Sequence, residues 1–212
     1  NEEALNGIAD DLKVRGASSI GLACLDLTKS AQHESSIQQA IDEMDGLDIA
    51  LICHGSLPNQ EKAEVDFKLA KKEIDTNGLS VISLLTVLSE KLSQRKCGTI
   101  AVITSVAGDR GRQPNFVYGA AKSLVSTYLQ GLRGKLRADQ VHVIDIRPGL
   151  VDSPMTAHME KGALWSSPER IASKIVQSIA KKKHTVYAPG YWRAIMFVVR
   201  LIPEVVFKRL KF

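Results

Sequence analysis

The chain has 212 residues, 44% of them hydrophobic and 24% charged. That length suits one domain with a single sizeable core, and the composition excludes a disordered chain. No run of about 20 uncharged apolar residues occurs, so no membrane-spanning helix is expected, and no signal peptide is read in the polar, acidic residues 1–11.

The net charge of +5 is unevenly placed. Residues 181–212 hold eight Lys/Arg against one acid, Glu204, for a net +7, which leaves the preceding 180 residues at −2. A body of that charge excludes a nucleic-acid-binding domain. A tail that is both basic and apolar points to an anionic membrane surface. Cys24, Cys53 and Cys97 lack CxxC spacing. A disulfide framework or a metal site is therefore not expected, and the three read as buried free thiols of a reducing, cytoplasmic compartment.

In chain order, short β-branched runs alternate with helical patterns. Strands are expected at 19–26, 47–53, 99–104, 141–147 and 184–188. Helices are expected at 2–15, 29–44, 66–94, 116–137 and 168–182, the last with Ser167 as cap and Pro168 at its first position. This alternation predicts βαβ units: an α/β, doubly wound parallel sheet of Rossmann-like type in a single domain. Residues 1–189 form that domain, and the character changes near Gly190, where a basic apolar tail, 190–212, begins. Ligands of such sheets bind beyond the carboxyl ends of the strands. The residues to inspect are therefore Asp26 after the first, His54-Gly55 after the second, Ser105 after the third and Pro148-Gly149 after the fourth.

Ser105 ends a buried strand, Tyr118 follows thirteen residues later, and Lys122 lies four beyond Tyr118. Positions i and i+4 share a helix face, so phenol and ammonium project side by side. A nearby ammonium is expected to lower the phenol pKa, making Tyr118 an acid for a carbonyl oxygen that becomes an alcohol. A serine hydroxyl beside it can donate a second hydrogen bond.

Here the chain resembles the short-chain dehydrogenase/reductase family. The matching pieces are Asp26-Leu27, Cys53-His54-Gly55 where the family has Asn-Ala-Gly, Asn77 in the long middle helix, Ser105, Tyr118-Gly-Ala-Ala-Lys122 and the run from Pro148 to Thr156. The resemblance implies NADP as cofactor, with NAD as the alternative, and a catalytic set of Asn77, Ser105, Tyr118 and Lys122. Tyr118 would exchange the proton, and Lys122 would hold the nicotinamide ribose. Ser105 would orient the carbonyl, and Asn77 would hold a relay water. Asp26 and Leu27 would face the adenine, and His54 and Gly55 would line the cofactor without a role for His54 as a base. Pro148, Gly149, Val151 and Ser153 would cover the nicotinamide and phosphates. The family's helices corresponding to 66–94 and 116–137 imply a homodimer or homotetramer.

The family's glycine-rich turn is not among the 15 glycines. By the resemblance, roughly 35–40 residues, the size of a βαβ unit, would precede Asn1. The two strands they carry would lie between 19–26 and 47–53 in the sheet. The natural protein is therefore expected to be longer at its N-terminus.

The motifs from Ser105 to Arg112, from Asn115 to Tyr118, from Arg147 to Thr156, from Gly162 to Trp165 and from Tyr187 to Arg193 are similar to a narrower group. These are bacterial reductases of decaprenylphosphoryl-keto-pentose, which act with a flavin oxidase. The group implies reduction of a 2-keto sugar on a polyprenyl phosphate, in cell-wall biosynthesis. Arg110 or Arg112 would meet the lipid phosphate. The tail from Trp192 would lie peripherally on the membrane or grip the isoprenoid chain, or else pack as a helix pair on its own domain or across a dimer. The alternatives are a reductase of another apolar ketone, sterol or acyl, and a weakly catalytic subunit whose main task is to bind a partner.

Overall fold

The computed structural model describes residues 1–210, and its first helices are α1 (Glu2–Val14), α2 (His33–Glu43) and α3 (Gln60–Ala63). Four parallel strands form the main sheet: β1 (Ile49–Ile52), β2 (Gly98–Ile103), β3 (Val141–Pro148) and β6 (Thr185–Ala188), in the order β1-β2-β3-β6. A short parallel pair, β4 (Leu150–Val151) and β5 (Trp165–Ser166), stands apart from it.

Strand alternation sorts the core into two layers. Ile100 and Val102 of β2, with Val141 and Val143 of β3, face α5 (Ser80–Arg95) and α6 (Phe116–Leu136). There they meet Leu85, Leu92, Leu129 and Leu136, all fully buried. Ala101, Ile144 and Ile146 face the other way, onto Ile171 and Ile175 of α7 (Pro168–Ala180). Helices on both faces explain why these strands are near-continuous apolar runs. The α/β Rossmann-like reading holds. So does the start of α7: the Ser167 side chain accepts from Arg170 N, with Pro168 in the first turn.

Three expectations are corrected. Residues 19–26 form no strand; they are largely exposed, and no strand among the described residues lies beside them to complete a ladder. Their apolar run cannot make a strand without a hydrogen-bonded neighbour. The long helix expected over 66–94 is broken into α4 (Phe67–Ile74), a π-helical turn (Asp75–Leu79) and α5. Asn77-Gly78 sits in the turn, both residues buried, and one extra residue per turn there marks a functional position in many helices. The cysteines are free but exposed. Cys24 lies in the unpaired segment, and Cys53 and Cys97 sit at the mouth of β1 and in the turn before β2.

Two further helices, α8 (Trp192–Leu201) and α9 (Glu204–Phe207), close the described chain. Trp192 and Met196 pack on Val106, so these helices rest on the loop that follows β2.

Candidate active site

The site lies beyond the carboxyl ends of β1, β2 and β3. Ser105 leaves β2 and caps a 3-10 turn (Val106–Asp109), its Oγ accepting from Ala107 N at 3.1 Å. That turn is seated on α6 by close approach. A Cβ on Gly108 would stand 2.9 Å from the Lys122 carbonyl carbon and the Ser123 nitrogen, so only glycine fits. Ser105 is thereby held against the helix that carries Tyr118 and Lys122.

Tyr118 is mostly buried beside Ser105. Burial pushes its phenol above the ordinary value, the hydrogen bond with Ser105 works against that rise, and the charge of Glu73 adds to it. This corrects the sequence expectation that Lys122 lowers the Tyr118 pKa. The Lys122 Nζ stands 5.6 Å from the ring centroid, and burial of the phenol decides the direction. Burial also depresses Lys122 itself, to about 8. Its ammonium carries three protons, and its hydrogen bond is to the Ile103 carbonyl at 3.3 Å. A nearly buried cation with donors to spare suits the hydroxyls of a ribose.

Asn77 is fully buried. Its Oδ1 accepts from Ser56 N at 3.1 Å, and its Nδ2 donates to Glu73 Oε2 at 3.0 Å. Gly55 lies between Asn77 and Lys122: a Cβ there would stand 2.7 Å from Asn77 Oδ1 and 3.3 Å from Lys122 Nζ. The structure thus brings Asn77, Gly55, Ser105, Tyr118 and Lys122 together. His54 joins their rim, half-buried, with Nε2 2.8 Å from Ser80 Oγ. Burial and the neighbouring Lys122 hold its pKa down to about 4, so the ring is neutral at physiological pH.

Pro148 ends β3 and Gly149 follows it, with the Trp192 indole directly against Gly149. Val151 lies in β4, and Ser153 opens the 3-10 turn (Pro154–Thr156) with Thr156 bonded back to it. Asp26 and Leu27 do not join the group. The exposed Asp26 carboxylate folds back on Thr28 N and Oγ1, which lowers its pKa. The Leu27 carbonyl is bound to the buried His33 ring.

Arg110 is not placed to receive a phosphate. Its Nη1 donates to the Val199 and Ile202 carbonyls at 2.6 Å each, its Nη2 meets Glu204, and its guanidinium stacks on Phe207 at 3.6 Å. It staples α8 and α9 to the Ser105 loop. Arg112 is partly buried, with a buried Nε that has no hydrogen-bond partner among the described residues.

Two groups of polar residues around the site were not among the sequence candidates. Glu73 and Ser56 surround Asn77, and the i,i+4 spacing of Glu73 and Asn77 was the available signal. Below the Ser105 loop, Arg147 donates two bonds to Asp145 Oδ2 (2.8 and 2.7 Å) and one to Asp109 Oδ1 at 2.6 Å. Tyr187 donates to Asp109 Oδ2 at 2.7 Å. Neither carboxylate side chain is more than 1% exposed.

The profile described as short chain dehydrogenase matches residues 1–163. The chain belongs to the short-chain dehydrogenase family, whose members are NAD(P)-dependent oxidoreductases. This short-chain dehydrogenase is 30% identical over 210 residues to the uncharacterized oxidoreductase Rv2073c of Mycobacterium tuberculosis, covering 99% of this chain and 84% of that protein. A relative in the mprA 5' region of Streptomyces coelicolor, also named as an uncharacterized oxidoreductase, is 28% identical over 207 residues, covering 98% and 81%. Among solved structures, a short-chain dehydrogenase of Burkholderia cenocepacia in complex with NADP superposes with a TM-score of 0.81 at 18% identity, covering 97% of this chain and 91% of that one. One from Burkholderia phymatum in complex with NAD gives 0.81 at 18%, covering 93% and 80%.

Proposed function

We propose that this short-chain dehydrogenase reduces a ketone to an alcohol with NADPH, NADH being the alternative. The observation that carries the reading is the convergence of Ser105, Tyr118 and the donor-rich Lys122 on one strand-end cleft. The family's solved members in complex with NADP and NAD support the cofactor class. Lys122, Gly55 and the Pro148–Gly149 segment would hold the ribose and nicotinamide of a cofactor whose chemistry would be hydride supply. The described residues offer no glycine-rich turn for the pyrophosphate.

The protein's own part is proton management. Ser105 donates a hydrogen bond to the substrate carbonyl oxygen. Tyr118 donates a second and delivers its proton as the oxygen becomes an alcohol. A phenol whose pKa is raised stays protonated through neutral pH, as the reductive direction requires. Lys122 and the Asn77 end of the site stand behind Tyr118 to return the proton.

For the substrate we infer a lipid-linked 2-keto sugar, made by a flavin oxidase acting on the same carrier. The outward face of α8 supports a substrate or surroundings of that kind. Ala194, Phe197, Val198 and Leu201 point to solvent at helical spacing, and exposed Arg193 and Arg200 flank them. Val205, Val206, Lys208 and Arg209 extend the same character. An apolar stripe rimmed by cations suits the headgroup boundary of an anionic membrane. Two copies meeting there by two-fold symmetry would face arginine with arginine. A homo-oligomer of the kind implied by the family would instead use α5 and α6, where Thr86, Glu90, Leu124, Tyr128 and Lys135 line an open groove.

The test is NADPH consumption with a polyprenyl-phosphate keto-pentose set against sterol, acyl and water-soluble ketones. Turnover of the lipid-linked sugar above the rest is expected. Equal rates on water-soluble ketones would refute the lipid-linked assignment, and no turnover with any ketone would refute the reductase.

A further inference from the structure

The Asn77 amide has two ends that differ in chemistry, and its surroundings choose between them. The Glu73 carboxylate only accepts hydrogen bonds. Its Oε2 takes Asn77 Nδ2 at 3.0 Å and Ser56 Oγ at 2.7 Å, and Asn77 Nδ2 also reaches Ser56 Oγ at 3.1 Å and the Glu73 carbonyl at 3.3 Å. The amide's NH2 end must therefore face Glu73. That leaves Oδ1 to accept the Ser56 N–H at 3.1 Å, on the side where Gly55 separates it from the Lys122 ammonium. A flipped amide would set its NH2 against the Ser56 N–H and toward the ammonium, donor against donor, in a fully buried position.

Among the described residues, no cation lies within ion-pair distance of Glu73. A partly buried carboxylate without a cation is costly to place. Its two short hydrogen bonds are what it has in return. It also lies close enough to Tyr118 for its charge to favour the protonated phenol.

We propose that Glu73 is a positioning residue of the reduction. Its Oε2 locks the Asn77 amide with the carbonyl end toward Lys122, and it ties the Gly55–Ser56 segment to the π-helical turn. This deepens the reductase reading and rests on it for its effect on turnover. The lock itself is a structural statement that stands or falls separately.

The pair can be reversed. In Asn77→Asp, two carboxylates oppose each other across the lock, while an acceptor still faces Ser56 N and Lys122. Adding Glu73→Gln restores one donor and one acceptor, now in the opposite sense. The intact chain, both single variants and the double variant are compared by melting temperature, and by kcat and KM with NADPH and the ketone that the native chain turns over. For Asn77→Asp, a lower melting temperature and a kcat reduced about twentyfold or more are expected, in line with the cost of misplacing a reacting assembly. The double variant is expected to recover at least half of the lost melting temperature and to raise kcat about fivefold or more over Asn77→Asp, with KM little moved.

A double variant no more stable than Asn77→Asp overturns the lock. Recovery of stability without recovery of kcat overturns the positioning role and leaves the lock as structure. A native chain without turnover on any ketone refutes the reductase reading, and melting alone then decides the lock. Should Asn77→Asp fail to fold, Glu73→Leu takes its place. A folded Glu73→Leu variant with kcat within about threefold of the native chain would overturn the proposal.

Discussion

Tyr118 and Lys122 share a helix face, yet burial moves their pKa values in opposite directions, the phenol up from its ordinary 10.0 and the ammonium down from 10.5 to about 8. The phenol is held protonated and the ammonium is made easier to neutralise. Removing the hydroxyl with Tyr118→Phe should lower turnover by on the order of a thousandfold, the scale of a lost general acid, while circular dichroism and melting temperature stay close to native. Lys122 has a stability signature of its own. Its folded pKa is about 8 against an ordinary 10.5. Between those values the unfolded chain binds more protons, so stability rises with pH across that window. Lys122→Met should therefore melt several degrees higher than the native chain at pH 7, with the gap closing as pH nears 10.5, even as activity is lost. Parallel melting curves with a constant gap across that range would contradict the depressed value. His54 shows the opposite economy: a ring neutral down to about pH 4 gives no charge change in the working range.

At the scale of elements, the Ser105 loop is held from three sides. Gly108 lets it sit on α6, Arg110 staples it to α8 and α9, and Asp109 binds Arg147 beneath it. Arg147 is held firmly charged, since the nearby Asp145 and Asp109 carboxylates outweigh the cost of its burial. Substituting Met for Arg147 leaves two buried carboxylates without their cation, which should destabilise the protein by about 3–5 kcal/mol. Chemical denaturation measures that loss, and hydrogen exchange at residues 105–110 should rise with it. The π-helical turn is the matching device on the other side of the cleft. It carries Asn77 out of the regular ladder so that its side chain can pin Ser56.

For the molecule as a whole, the charge segregation visible in the composition becomes a surface. The body is mildly acidic, and Arg193, Arg200, Lys208 and Arg209 border exposed Phe197, Val198, Leu201 and Val205. Among the described residues no helix is long and apolar enough to cross a membrane, so attachment through this face would be peripheral. Vesicles containing anionic lipid should retain the chain at low ionic strength and release most of it at high salt, because each cation near the surface contributes about 1 kcal/mol that salt screens. Phe197→Asp with Val198→Asp should abolish retention without lowering the melting temperature, since neither side chain packs in the core. Undiminished flotation of that variant would remove the face from consideration.

The sequence by itself determined the alternation of strands and helices, the parallel sheet, the start of α7 and the three positions Ser105, Tyr118 and Lys122. These are local signals: a period of two or 3.6, a proline after a capping serine, an i,i+4 pair at a strand end. Only the tertiary structure decided the rest. Whether residues 19–26 make a strand depends on a backbone beside them, which no local pattern reports. The fate of Arg110 was set by carbonyls 89 and 92 residues away. The Tyr118 pKa was set by burial and by a carboxylate from another helix. Desolvation and long-range hydrogen bonds are properties of the packed chain, and they override what neighbouring residues in the sequence suggest.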